Sequence, residues 1–438
     1  MGLTLVLALA ACDREIILEG ERFGTRVPLE ASLPGEDGTI VALAATEDVA
    51  RAISLPAASR LEAWPQRGLN AQNRIGHVVL SPAPTEIFAV DIGQGNSRQT
   101  RITADPVAGG GRIFTLDSDA GLVATGMGGE TLWAANLLPA FERGGGVSGG
   151  ALALDGDMLF ATTGYRELVA LDAATGAVIW RQQLDAGITA PTVVGDTVYV
   201  VSRDSQAWSI DRSDGRIRWQ LPASPVGAVL LGGGAAPAIT DRFVIFPFGS
   251  GEIVGSMRQS GTEIWRSNVV GGRRGVAYND LNDITSDPVV VGNTIYVGNQ
   301  SGRVVALNAT TGARIWTASE GAYSPVVAAG GSLFFVSDRN ELIRIDADTG
   351  ERIWGTELPL YQQDRERRRR AVFTHYGPIL AGGQLVVASG DGLIRFFSPE
   401  SGALTGTAEI RGGAAAHPIV VNDTLFVVSQ DGRLHAYR

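Results

Sequence analysis

The side chains able to do chemistry are few and scattered. Four histidines, His77, His375, His417 and His435, stand in unrelated stretches with no ligand-like spacing between them, so neither a metal cluster nor a catalytic triad is visible. Asp172, Asp211 and Asp346 return once per repeat at one turn position, and a residue written into every repeat is architectural. Gly144-Gly145-Gly146 and Gly232-Gly233-Gly234 share only composition with phosphate loops, because no Lys and no helix start follows them. No catalytic residue, no metal site and no cofactor is expected. The remaining charge anomaly is Arg365-Glu366-Arg367-Arg368-Arg369-Arg370, which reads as a solvated link or as a contact for anionic lipid or an acidic partner.

The single cysteine, Cys12, excludes an intrachain disulfide and a Cys-based zinc site. It follows MGLTLVLALAA, an apolar run too short to span a bilayer and similar to a signal-peptide core. Leu9-Ala10-Ala11-Cys12 matches a bacterial lipobox, where the signal is cut before Cys and the new terminus is lipidated. Residues 1–12 are therefore expected to be a lipoprotein signal with its lipidation site, and the membrane a partner through that anchor. Residues 13–84, with Pro28, Pro34, Gly35 and Pro56, read as a tether and irregular segment, with a short helix expected within 47–53. A net charge of −10 over 438 residues argues against nucleic acid, whose phosphates need a basic surface.

What positions these residues is a repeat. LDAATGAVIW (171–180), IDRSDGRIRW (210–219), LNATTGARIW (307–316) and IDADTGERIW (345–354) are one phrase in four versions. Each closes a longer unit that opens with a small residue and Pro and then alternates apolar residues through Gly or Asn-Asp turns. Eight units can be aligned between residue 104 and the end. Strand-length runs such as Thr197-Val198-Tyr199-Val200-Val201 read as half-buried strands, and the Asp/Asn and Gly pairs supply the positive-φ positions of tight hairpins. Four strands per unit is the period of a propeller blade. The expectation is an all-β, eight-bladed propeller over 85–438, with each Trp packed between neighbouring blades. The eighth unit lacks its outer strand, so residues 85–93 should close it, Phe88 taking the Trp place. Gly406 takes that place in unit seven, which predicts a weakly packed seam.

Links from one unit to the next should emerge on one face. Those at 134–149, 266–285 and 355–375 are long. The 220–234 and 266–285 links flank blade four and should be neighbours. The first carries Val229-Leu230-Leu231; the second carries Arg273, Arg274, Tyr278, Asp280, Leu281 and Asp283. Apolar residues beside Arg, Tyr and Asp have the makeup of a protein interface.

Repeat and lipobox together resemble the BamB family of outer-membrane β-barrel assembly lipoproteins, most specifically in DLNDITSD (280–287) followed by PVVVGNTIY. The resemblance covers the body from about residue 85. It implies a non-enzymatic periplasmic scaffold that binds the POTRA domains of BamA and assists barrel insertion, with nascent outer-membrane proteins as further partners. Carried over by position, Asp283 matches an acidic contact and Val229 and Leu231 apolar ones; a family arginine is replaced by Gly232, and Arg273 or Arg274 would substitute. Location at the periplasmic face of the outer membrane is implied, while Asp13 after the lipid-bearing Cys is the residue that in enteric bacteria retains lipoproteins at the inner membrane. The competing class is a pyrroloquinoline quinone (PQQ)-dependent dehydrogenase, which shares the blade motif. Its calcium-binding carboxylates and vicinal Cys pair have no counterpart here, and co-elution of added PQQ and calcium would be its signature. A scaffold for another periplasmic partner is the third reading. Cys12→Ser is expected to leave the protein uncleaved or soluble in the periplasm; unchanged membrane fractionation would refute the anchor.

Overall fold

The computed structural model describes residues 48–142, 146–224, 234–272, 283–363 and 365–438. Among them, thirty-two strands form eight four-stranded antiparallel sheets, and the helical content is one 3-10 turn at Glu366–Arg368. Seven blades are consecutive: β2–β5 (107–136), β6–β9 (150–183), β10–β13 (192–222), β14–β17 (238–268), β18–β21 (289–318), β22–β25 (327–357) and β26–β29 (375–409). The eighth is β30–β32 (419–437) completed by β1 (Glu86–Asp91), with Phe88 opposite Ala436. Thr85 and Arg438 exchange backbone hydrogen bonds of 2.9 Å in both directions. The eight-bladed ring closed by an N-terminal strand is thus the observed fold.

Second strands are buried along all or nearly all of their length, as in β11 (Thr197–Ser202), rather than half-buried as their alternation suggested. Blades stack face to face around the ring, so a middle strand is covered on both sides. Only outermost strands keep a solvent face, as β9 (Val178–Gln183) does.

The repeated phrase holds neighbouring blades together. In LDAATG, Asp172 Oδ1 accepts from the backbone N–H groups of Ala174 and Thr175 and from the Thr175 hydroxyl. This fixes a turn in which Gly176 has φ 75°. The indole of the preceding blade lies on that glycine: a Cβ at Gly176 would stand 2.6 Å from the Trp133 ring. Trp133 Nε1 donates to the turn carbonyl of Ala173 at 3.2 Å. The same contact recurs as Trp180 on Gly215, Trp219 on Gly261, Trp265 on Gly312, Trp316 on Gly350 and Trp354 on Gly402, with Phe88 on Gly129. Each outer strand carries a bulge just before its Trp position, which turns the indole toward the next blade.

Gly406 breaks the series for a reason. Its indole would need a turn on blade eight, and there the turn is replaced by the meeting of the two chain ends. The seam expected to be weak is instead filled from the other side: Tyr437, 1% exposed, crosses from β32 and donates its hydroxyl to Glu409 O at 2.8 Å.

Residues 48–84, from the stretch read as a tether, run along the blades and cover the hairpin end of the central channel. Trp64 pairs with Ala108 on β2 (Val107–Gly109), Pro65 O accepts from Leu154, Ala71 O from Ile239, Gln72 O from Val290, and Val78 bonds to Leu380 and Gly382. These bonds use the free edges of the innermost strands, three of which, β2, β14 and β18, are only two or three residues long. The helix expected within 47–53 is not formed in its described part, 48–53. There Val49 N donates to Ile353 O, and Arg344 holds the carbonyls of Arg51 and Ala52, so blade contacts take the groups a helix would have used.

Trp354→Ala removes a 1%-exposed indole and is expected to cost about 3–5 kcal/mol, read as a lowered urea midpoint. Ile179→Ala, at a 50%-exposed position on the rim, should shift it by less than about 0.5 kcal/mol.

Candidate functional site at the channel mouth

The opposite end of the channel is the face where the links emerge. Its mouth holds a cavity of about 210 Å³ lined by Arg67, Asp105, Gly234, Asp283, Tyr323, Tyr376 and His417, among others. Gly234 ends one link flanking blade four and Asp283 ends the other, and both line this cleft. The described ends of the two links are therefore neighbours, as the repeat order implied. Asp283 itself is 7% exposed, part of the channel wall. Val229, Leu231, Gly232, Arg273, Arg274, Tyr278, Asp280 and Leu281 lie outside the described residues, as does Cys12.

The cleft is organised by Arg67, delivered from the covering segment. Its Nε lies 3.1 Å from Asp105 Oδ2 and 3.3 Å from Asp287 Oδ2, and Nη1 donates to Gly234 O at 3.0 Å. Asp105 Oδ1 accepts from His417 N at 2.8 Å and faces its Nδ1 at 3.0 Å. Asp287 Oδ1 accepts from Ala236 N at 2.7 Å. Asn73 from the same segment donates to the carbonyls of Ala236, Pro237 and Pro288. One cation thus bridges blades one, four and five.

The two carboxylates titrate in opposite directions. Burial pushes Asp287 up, and Arg67 only partly offsets it. Burial also raises Asp105, but His417 and Arg67 outweigh it and hold this carboxyl below its ordinary range. Burial would lower Arg67, yet the two carboxylates more than restore it and its pKa is raised.

Most polar groups of the cleft are paired, although Arg67 Nε and Asp287 Oδ2 meet only as an ion pair without hydrogen-bond geometry. Its threonine hydroxyls bond backbone carbonyls: Thr103 Oγ1 donates to Gly150 O and Thr285 Oγ1 to Ala322 O, which leaves neither poised as a nucleophile. Among the described residues no group of three or more His, Cys, Asp or Glu could hold a metal ion. The other histidines are structural: His77 accepts from Gly383 N, His435 bonds Glu86 and Ser429, and His375 bonds Pro359 O in the link between blades six and seven.

The cluster of Arg67, Asp105, Asp287 and His417 was not singled out in the sequence, yet a signal existed. Units open with a small residue before Pro, and three of them depart from it: Asp105-Pro106, Asp287-Pro288 and His417-Pro418. A residue before Pro is held extended, and at this place in the blade it faces the channel.

A covered, eight-bladed ring of PQQ-type repeats with a polar mouth defines a propeller of the assembly-scaffold kind. The family model for outer membrane protein assembly factor BamB matches residues 118–356, more than half of the chain, and the chain belongs to that family. It is 23% identical over 364 residues to the BamB of Yersinia pestis, covering 81% of this chain and 89% of that one. To the BamB of Shewanella oneidensis it is 24% identical, covering 80% and 88%. The crystal structure of BamB from Moraxella catarrhalis superposes with a TM-score of 0.66 at 21% identity, over 81% of this chain and all of that one. A europium-containing methanol dehydrogenase shares the fold at a TM-score of 0.62 and 13% identity.

Arg67→Met keeps length and removes the bridging charge. At neutral pH it is expected to cost about 3–5 kcal/mol, because two buried carboxylates lose their cation. Asp105, with its lowered pKa, contributes stability that is present above the unfolded value of 3.8 and lost as pH falls through the folded one. Asp287, raised in the fold, does the reverse and favours the native state as it protonates. Without Arg67 the Asp287 carboxyl loses its main opposing charge and protonates more readily, while His417 still holds Asp105, so the deficit of the variant should shrink on acidification from pH 7 toward 4.5. A deficit that grows on acidification would refute this account.

Proposed function

We propose that the chain is a non-enzymatic scaffold of the outer-membrane protein assembly machinery, held at the periplasmic face of the outer membrane by lipid on Cys12, and that it grips a POTRA domain of BamA. Family membership supports the coarse assignment. The observation that carries the finer one is the convergence of Gly234 and Asp283 on one cleft at the open face, which brings together the roots of the two links rich in interface-type residues. Val229, Leu231 and Leu281 would supply apolar area; Asp283 with Arg273 or Arg274 would set orientation through charge-assisted hydrogen bonds.

Arg67 gives this surface a fixed base. By bonding Gly234 O and pairing with Asp287, it restrains the ends of both links, so less ordering is left for the moment of binding. The protein acts by holding a partner in place, and nascent barrel strands would meet the assembled pair rather than a catalytic centre.

Because Asp283 is buried, its charge is best removed without changing shape. Leu231→Glu with Asp283→Asn is expected to weaken co-purification with BamA by about 2–5 kcal/mol, with the melting temperature nearly unchanged. Wild-type recovery of BamA by a folded double variant would move the interface elsewhere.

A further inference from the structure

The link between blades six and seven is not an idle loop. Beyond β25 (Arg352–Glu357) the chain runs out and back as a two-ply arm: Phe373 N donates to Leu360 O and Gln362 N to Ala371 O, and Tyr361 bridges Val372 in antiparallel sense. Two buried side chains pin its base. Asn340 Nδ2 donates to Pro359 O at 3.3 Å and Phe373 O at 2.9 Å. His375 Nε2 donates to Pro359 O at 2.8 Å, which leaves Nδ1 to accept from Ser389 Oγ at 2.7 Å. The tip is a 3-10 turn, Glu366–Arg368, closed by Arg368 N to Arg365 O.

This stalk presents Arg365, Arg367, Arg368, Arg369 and Arg370, all exposed. Arg369 rests its guanidinium 5.1 Å from the Tyr361 ring centre. Among the described residues Arg365, Arg367, Arg368 and Arg370 have no ion-pair partner, in contrast to ring arginines that are neutralised by carboxylates, as Arg218 is by Asp196 and Asp211 and Arg266 by Glu252 and Glu263. Concentrated positive charge on a chain of net −10 acts locally, since its field decays within about 8 Å at physiological ionic strength. The acidic remainder is repelled by the same surface that attracts the tip, so attraction has one orientation.

The described chain also enters the body on this blade. Gly355 N donates to Asp48 Oδ1 and Val49 N to Ile353 O, on the strand that leads into the arm. The first described residues, Asp48 and Val49, are therefore bonded in the sector that carries the arginines. We propose that the arm is a membrane contact: its guanidinium groups bind the phosphates of anionic lipid headgroups and set the tilt of the ring against the bilayer.

The test compares binding of the full-length chain to vesicles of phosphatidylcholine with and without phosphatidylglycerol. Any apolar or lipid anchor contributes to both, so the preference for anionic vesicles isolates the arm. Changing Arg365, Arg367, Arg368 and Arg370 to Gln should reduce that preference on the order of a hundredfold, while the same positions as Lys retain it and 0.5 M salt or excess inorganic phosphate suppresses it. The wild type lacking any anionic preference, or the Gln variant keeping it, would overturn the proposal. Loss of BamA co-purification in the Gln variant with its lipid preference intact would identify the arm as a protein contact instead. BamA co-purification by the Gln variant otherwise stays at wild-type level, which separates this inference from the docking proposed at blade four.

Discussion

One indole on one glycine, repeated around a ring, is the contact on which the rest of the molecule depends. A Trp packs flat only where its neighbour has no Cβ, and the neighbour's turn tolerates φ near 75° only as glycine. Asp at the start of the turn, Gly at its end and Trp four residues later are therefore one device split between two blades. The absence of an indole at Gly406 is part of the same logic. Where the turn is given up so that two chain ends can share a blade, the aromatic that needed it disappears and Tyr437 fills the seam from the opposite side.

Closing eight blades leaves a channel walled by the innermost strands, whose inner edges carry backbone groups with no partner in their own sheet. The segment before β1 resolves both problems at one end, by hydrogen bonding to inner strands of several blades and by sending Arg67 into the bore. Polar character at the mouth follows from this. The carboxylates that would otherwise invite a cation or a cofactor are occupied by a side chain of the same protein.

The blade count, the closure by residues 85–93 and the Phe88 substitution were legible because each is written in a periodic pattern with a steric cause. The same pattern concealed the channel cluster. Asp105, Asp287 and His417 sit at one repeat position but in only three units, and their meaning depends on Arg67, which lies outside the repeat. No local spacing announces a contact between residues 67 and 287; only ring closure brings them together. The role of 48–84 was hidden similarly, since its backbone, not its side-chain pattern, does the pairing. Burial of the middle strands was misjudged where alternation was taken to mean one wet face, because the stacking of blades covers both.

The route of the chain into the ring has a mechanical consequence. Before reaching β1, the polypeptide is gripped at blade six through Val49 and by the buried Arg344 at Arg51 and Ala52. It is held again at Trp64, Ala71, Gln72 and Val78 along the inner strands. A pull on the chain ahead of Asp48 is thus shared among these attachments in series, spread over most of the blades. The closing strand, whose loss would open the ring, is the last element in the load path and is shielded from tension by everything upstream of it.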